Sequence, residues 1–330
     1  MKRESVLVLA TMMFSGLLSR TFAASAVPTA PTTPPAASVL TKNQSGFYRL
    51  KVGALDVIAL SDGSLSFPVD ELLLNGKPGE VHQLLDEAFD PTPSVSVNAY
   101  LIFFPGKLVL IDSGAESLLG PTLGKLPASL ESVGIAPDQI SEIFLTHLHP
   151  DHSGGLVVGG RKFFEKATVH VDQRELDYWL SPASSESASK VVKPFFAQVV
   201  SRMGPYIRDG QVRGFRGSTV FFPGFRSVST YGHTPGHTCY VLESQGQRIM
   251  FMGDTTHVLN VQFSDPGIAV KFDTDPAMAV SAREGAYNDA AQKGYLMAFA
   301  HVSFPGIGHL RKDGDHYLWY PLPFLDDAQK

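Results

Sequence analysis

Beyond residue 46 the chain alternates apolar runs at strand spacing with stretches whose apolar residues recur at helical spacing. Residues 47–60 predict two strands around Gly53, closed by a turn at Ser61-Asp62-Gly63. Residues 98–104 and 107–111 predict a hairpin across Pro105-Gly106, and 118–133 a helix broken at Pro121 and Pro127. Short strands follow at 142–146 and 168–171, after which Asp172 caps a helix running to Leu180. Residues 190–203 predict a helix with a break at Pro194. The pattern then turns β-rich, at 219–222, 226–230, 238–242 and 248–252. A helix over 276–293 starts on Pro276, and strands at 295–299 and 317–320 complete the set. Strands and helix, then strands and helix again, predict two packed sheets with helices outside rather than one parallel sheet.

The N-terminus follows another pattern. Lys2 and Arg3 precede an apolar run over 6–18, and small residues follow up to Ala24-Ser25-Ala26. That layout predicts a secretory signal peptide over 1–26, because the run is shorter than the ~20 residues of a comfortable membrane span; an uncleaved anchor is the alternative. Residues 27–45, rich in Pro, Thr and Ala, predict an unstructured tether, and 46–330 a folded domain. The mature chain is expected in the periplasm or outside the cell, off the membrane once cleaved.

Composition narrows the function. Hydrophobic residues make up 44% and charged residues 18%, which excludes a mainly disordered chain. A net charge of −5 argues against a nucleic-acid partner. Cys239 is the only cysteine, so an intramolecular disulfide and a thiolate-rich metal cluster are both excluded.

The strongest chemical signal is His147-Leu148-His149-Pro150-Asp151-His152, which follows a strand and precedes Ser153-Gly154-Gly155. Imidazole and carboxylate donors at this density suit zinc, manganese, iron or cobalt. On an extended segment His147 and His149 point to one side, while Asp151 and His152, where the chain turns, can face a second metal position. The two glycines are expected to let the backbone turn sharply. A second constellation, Gly232-His233-Thr234-Pro235-Gly236-His237, also follows a strand. His233, at the strand end, is the expected ligand. His237 opens the next strand and is expected to support the loop, or to be a buried histidine with its hydrogen bonds satisfied. Asp254, in Gly253-Asp254-Thr255, is a carboxylate at the end of an apolar strand and needs a partner. His301, after the 295–299 strand, completes the series of strand-end residues.

This pattern resembles the metallo-β-lactamase superfamily, whose motif is H-x-H-x-D-H followed by later His, Asp and His ligands. The resemblance covers about 47–321 and implies an α/β fold, an αββα sandwich of two mixed β-sheets with outer helices. It implies two divalent metal ions, one on His147, His149 and His233, the other on Asp151, His152 and His301, with Asp254 bridging both. Zn2+ is the default, and Mn2+, Co2+ or Fe2+ suit the same donors. It also implies that Asp112, in Ile111-Asp112-Ser113-Gly114, orients a histidine ligand from behind, a role compatible with capping a turn.

Further segments, among them Ala59-Leu60-Ser61-Asp62-Gly63, Gly120-Pro121-Thr122-Leu123-Gly124 and His301-Val302-Ser303-Phe304-Pro305-Gly306, resemble the methyl parathion hydrolases and the related dihydrocoumarin-type lactonases. That resemblance implies a homodimer and a substrate pocket formed by Leu65, Phe67, Leu72, Leu119, Trp179, Phe195, His257, Val270 and Phe272. All but His257 are apolar, which suits a small aromatic, uncharged ester, lactone or phosphotriester. Methyl parathion hydrolases carry arginine where Leu72 stands, leucine where His257 stands, and smaller or more polar residues where Val270 and Phe272 stand. At these positions the chain resembles the lactonases.

Two divalent ions sharing a water depress its pKa, and the hydroxide can attack an ester or lactone carbonyl while Asp254 or Asp151 accepts the proton. Cys239 lies within a predicted strand and is expected in the core. The expected activity is hydrolysis of lactones and aryl esters, with promiscuous phosphotriester hydrolysis. A main phosphotriesterase activity and acyl-homoserine lactone hydrolysis are the alternatives. A non-catalytic metal-binding protein is disfavoured by the complete ligand set.

Overall fold

Along residues 57–60 the side chains alternate in direction, yet Val57, Ile58, Ala59 and Leu60 are all buried. A strand covered on both faces needs a packed layer on each side. The computed structural model describes residues 46–324, so the signal peptide and tether expected over 1–45 lie outside the described residues. One sheet runs β1 (Phe47–Val52), β2 (Leu55–Ser66), β3 (Ser94–Phe104), β4 (Lys107–Ile111), β5 (Ile140–Phe144), β6 (Thr168–Asp172) and β7 (Val212–Phe215), in that spatial order. The other runs β8 (Val220–Phe222), β9 (Phe225–Ser229), β10 (Thr238–Ser244), β11 (Gln247–Phe251), β12 (Leu296–Ala298), β13 (Ile307–Asp313) and β14 (His316–Pro321). Both sheets are mixed: β4 to β7 are parallel in the first and β11 is parallel to β12 in the second, while the other neighbours are antiparallel.

The alternation sorts side chains into three apolar layers. Val57, Ala59, Ile102, Val109 and Phe144 of the first sheet meet Phe225, Tyr240, Leu242, Ile249 and Phe251 of the second, forming the middle of the sandwich. Ile58, Leu60, Leu101, Leu110 and Val169 point the other way, against Leu126, Leu130, Phe196, Val199 and Met203 of helices Leu126–Ser132 and Lys193–Arg208. Cys239, Val241, Met250 and Met297 pack under Ala286, Tyr287 and Ala290 of helix Pro276–Lys293. The result is the expected αββα sandwich. Burial pushes the Cys239 thiol up to about 12, so it stays an inert core group.

Several local expectations change. Ser61-Asp62-Gly63 is not a turn: β2 continues to Ser66, with a register shift between Ser61 and Gly63 in its pairing to β3. Residues 118–125 are not helical, because Gly120 and Gly124 have φ of 117° and 79°, and the helix starts only at Leu126 with Pro127 in its first turn. Pro194 likewise starts a helix rather than breaking one, since a first-turn proline gives up no intrahelical bond. Strand β13 and helix Glu80–Glu87 went unpredicted; β13 ends in the charged run Arg311-Lys312-Asp313, which masks its alternation.

The shift in β2 has a purpose. It turns the buried Asp62 towards residues 113–126, where its carboxylate accepts from the backbone N–H of Ala115 at 2.8 Å, Leu126 at 2.9 Å and Gly124 at 3.2 Å. Burial lifts the Asp62 carboxyl from 3.8 to about 6 despite these donors, with Asp151 adding to the rise. A carboxyl with a raised folded pKa favours the fold fully below pH 3.8, and that contribution is lost as pH climbs through about 6. The difference corresponds to about 3 kcal/mol. Asp62→Asn should therefore gain about that much relative to wild type between pH 4 and pH 7.5 in denaturant unfolding. A difference that does not vary with pH would contradict this.

Candidate metal centre

The sheets bring their chemistry to one edge. Asp112 follows β4, His147 and His149 follow β5, His233 follows β9, Asp254 follows β11 and His301 follows β12. After His149 the chain winds into the one-turn helix Pro150–Ser153, which swings Asp151 and His152 to the far side of the cluster. Gly154 and Gly155 serve close packing rather than a sharp turn: a Cβ at Gly155 would lie 1.9 Å from the Ser113 carbonyl oxygen, and one at Gly154 2.3 Å from that of Ala115.

Asp254 sits between two sets of imidazoles. Its Oδ2 lies 3.3 Å from His233 Nε2 and 3.7 Å from His147 Nε2. Its Oδ1 lies 3.0 Å from His152 Nε2 and 3.2 Å from His301 Nε2. His149 joins the first set through Nδ1, 3.0 Å from His233 Nε2. Asp151 joins the second, its Oδ2 3.4 Å from His301 Nε2 and 3.6 Å from His152 Nε2. Ligating atoms of His147, His149, His233 and Asp254 lie within 4.8 Å of one another, as do those of Asp151, His152 and His301. Asp254, His257 and His301 form a third such group, because His257 Nε2 is 3.1 Å from Asp254 Oδ2.

The outer nitrogens explain why the inner ones converge. His152 Nδ1 is 2.8 Å from Asp112 Oδ2, His233 Nδ1 is 2.7 Å from Asp273 Oδ1, and His301 Nδ1 is 2.8 Å from the Ser96 carbonyl oxygen. A neutral imidazole that donates through Nδ1 presents a bare lone pair at Nε2. Here each Nε2 faces the Asp254 carboxylate, so a proton or a metal cation must lie between them. The buried His147, His149 and His152 Nε2 atoms and Asp254 Oδ1 have no hydrogen-bond partner among the described residues. Both observations fit a site built for divalent metal.

The titration pattern has the same cause. Burial alone would pull His152 down, but Asp254, Asp112 and Asp151 outweigh it and raise it well above the usual histidine range. His233 is lifted to about 9, with burial opposed by Asp254 and Asp273. His147 and His149 fall well below the usual range, first through burial and then through neighbouring histidines. Asp254 is held low against its burial by His152, His301, His147 and His257.

Asp112 accepts from the Thr146 N–H at 2.8 Å as well as from His152, and takes a left-handed φ of 59° to do so. His237 lies outside the ligand cluster. Its Nε2 accepts from the Asp254 N–H at 3.0 Å and its Nδ1 contacts the Thr230 carbonyl oxygen at 3.1 Å, while burial pulls it down to about 3.

A cavity of about 190 Å³ opens over the cluster, walled by Leu65, Phe67, Val95, Leu119, Phe195 and Phe272, with His149, Asp151, Asp254, His257 and His301 at its base. Three pocket expectations change. Val270 is fully buried and pairs with Leu73 in a two-stranded ladder. Leu72 is half-buried and packs into the same apolar cluster as Phe67 and Phe272, outside the cavity lining. Trp179 lies behind His149, with ring centroids 5.3 Å apart. Val95, Asp273 and the Ser96 carbonyl carry no motif that would have marked them.

A model of the metallo-beta-lactamase superfamily matches residues 93–320. The chain belongs to that superfamily. Its fold is that of the superfamily, and its His/Asp clusters are of a kind that could hold divalent metal. The crystal structure of hydrolase AbOPH of the beta lactamase superfamily superposes with a TM-score of 0.82 and 33% identity, over 86% of this chain and 100% of that one. AidC, a dizinc quorum-quenching lactonase, superposes at 0.80 with 24% identity over 86% of this chain and 99% of that one, a likeness of fold alone. Lactamase-like protein nscB of Aspergillus fumigatus is 29% identical over 58% of this chain and 43% of its own length. An atrochrysone carboxyl ACP thioesterase of the same organism is 30% identical over 56% of this chain and 44% of its own. The chain thus spans less than half the length of these curated relatives.

Proposed function

We propose that the chain is a dinuclear metal-dependent hydrolase of lactones and aryl esters, with phosphotriester hydrolysis as a weaker second activity. The observation that carries this reading is Asp254, set between two imidazole groups at the base of an apolar cavity. His147, His149 and His233 would hold one ion, Asp151, His152 and His301 the other, and Asp254 both. Zn2+ is the ion proposed, since these N/O donors suit it. Bound there, the pair would supply Lewis-acid polarisation and a water acidic enough to act near neutral pH.

The chain's own residues do the rest. Asp151 is only partly buried and reaches the cavity, so its carboxylate is placed to accept the proton that the attacking water sheds. Phe67, Phe195 and Phe272 wall the space, with Phe272 edge-on to Phe67 at 6.5 Å, and offer an apolar surface to an aromatic substrate. No lysine, arginine, serine or cysteine lines the cavity among the described residues, which favours an uncharged substrate and a nucleophile that is not a side chain. At about 190 Å³ it suits a one- or two-ring ester better than a long acyl chain. This reading keeps the subgroup likeness to the dihydrocoumarin-type lactonases, and export and homodimer formation go with it as proposals.

The test is kcat/KM of the metal-loaded protein on dihydrocoumarin and on methyl parathion, with and without chelator. Lactone turnover at least tenfold higher, and lost on chelation, is expected. The reverse order would make the phosphotriester the main substrate.

A further inference from the structure

Helix Gln173–Trp179 supplies no residue to the metal cluster, yet it carries a carboxylate into the gap between the two histidine loops. Glu175 is fully buried, and no cationic side chain pairs with it among the described residues. Its oxygens are met by N–H donors instead. Oε2 accepts from Leu148 N at 3.0 Å and from Trp179 Nε1 at 2.8 Å, and Oε1 accepts from Gly236 N at 2.7 Å. Leu148 separates His147 from His149, and Gly236 stands between His233 and His237. One carboxylate is therefore bonded to both loops and to the indole that packs edge-on against His149. The fit is close: a Cβ at Gly236 would lie 2.9 Å from Glu175 Cγ and 2.9 Å from its backbone nitrogen.

We infer that Glu175 is a positioning residue, one buried carboxylate that sets the spacing of His149 and His233 and the pose of Trp179. It thereby ties both histidine loops and the indole behind His149 to one anchor. The inference rests on the proposal that these histidines hold metal. Its chemistry demands an acceptor at both oxygens. In Glu175→Gln the NH2 must face either the Gly236 N–H or the Leu148 and Trp179 donors, so one of these anchors is always released.

The experiment uses a Trp319→Phe background, in which Trp179 is the sole tryptophan reporter. Zinc affinity is measured by competition with a chromogenic chelator, tryptophan emission in the metal-free protein, and folding by thermal melt. Glu175→Gln should bind zinc about 10–100-fold more weakly and shift the Trp179 emission, with a cooperative melt retained. Gly236→Ala pushes on the same contact without removing the charge. It should also weaken zinc binding, and it decides the matter if Glu175→Gln does not fold. Zinc affinity within twofold of wild type in the folded variants would overturn the inference, even with a lowered Tm, because that is packing alone. Failure of the wild type to bind zinc would overturn the metal-centre reading and this inference with it. Wild-type binding with unaltered variants would remove only the role of Glu175.

Discussion

Asp254→Ala is expected to cut kcat/KM by about a thousandfold or more and to leave the protein unable to retain a pair of metal ions. Among the described residues, Asp254 offers its two carboxylate oxygens to both halves of the cluster. His147 and His233 approach one oxygen, and His152 approaches the other. Without the carboxylate, the buried imidazoles lose their shared counter-charge and their repulsion is no longer offset. The fold itself does not depend on it, because the middle of the sandwich is built from Phe144, Phe225, Tyr240 and their neighbours. The variant should therefore express and melt cooperatively. Metal analysis and kcat/KM on the same preparation check this, and wild-type rates would remove Asp254 from the centre of the site.

Asp112→Asn should act on one half of the centre only. The amide keeps a side chain that tolerates the left-handed φ of 59°, so the backbone after β4 is retained. It cannot keep both bonds. Asp112 accepts from Thr146 N–H at 2.8 Å through Oδ1 and faces His152 Nδ1 at 2.8 Å through Oδ2. An NH2 group on the His152 side drives that imidazole to the other tautomer and takes away the Nε2 lone pair. Metal affinity of the Asp151, His152 and His301 group should fall about 10–100-fold, while the His147, His149 and His233 group changes little. A zinc titration should then resolve a strong and a weak step, with kcat partly restored by excess zinc. A uniform weakening of both steps would show that Asp112 acts on the whole loop instead.

The features that were legible in the sequence are those with strong local grammar. Helix Pro276–Lys293 was expected over its full span, with Pro276 at its start. The strands carried period-two alternation, and the His/Asp motifs sit directly after them. What escaped was decided by tertiary contact. Asp62 looked like part of a turn, yet it reaches the backbone of Ala115 and Leu126 across the sheet edge. Asp273 and Ser96 hold His233 and His301 from far along the chain, and no spacing rule connects them. Glu175 belongs to no motif, and the loops it joins lie 27 and 61 positions away. Leu72, Trp179 and Val270 were carried into the pocket by resemblance, and packing against Phe67, His149 and Leu73 keeps them out of the cavity lining.

The most direct measurement is the metal content per chain of purified wild type and Asp254→Ala, set beside lactone hydrolysis before chelation, after it, and after zinc is restored. The dinuclear account predicts two equivalents in the wild type, activity that vanishes with the metal and returns with it, and fewer than two equivalents in the variant. Full activity at one equivalent or less, or hydrolysis that survives complete chelation, would contradict it.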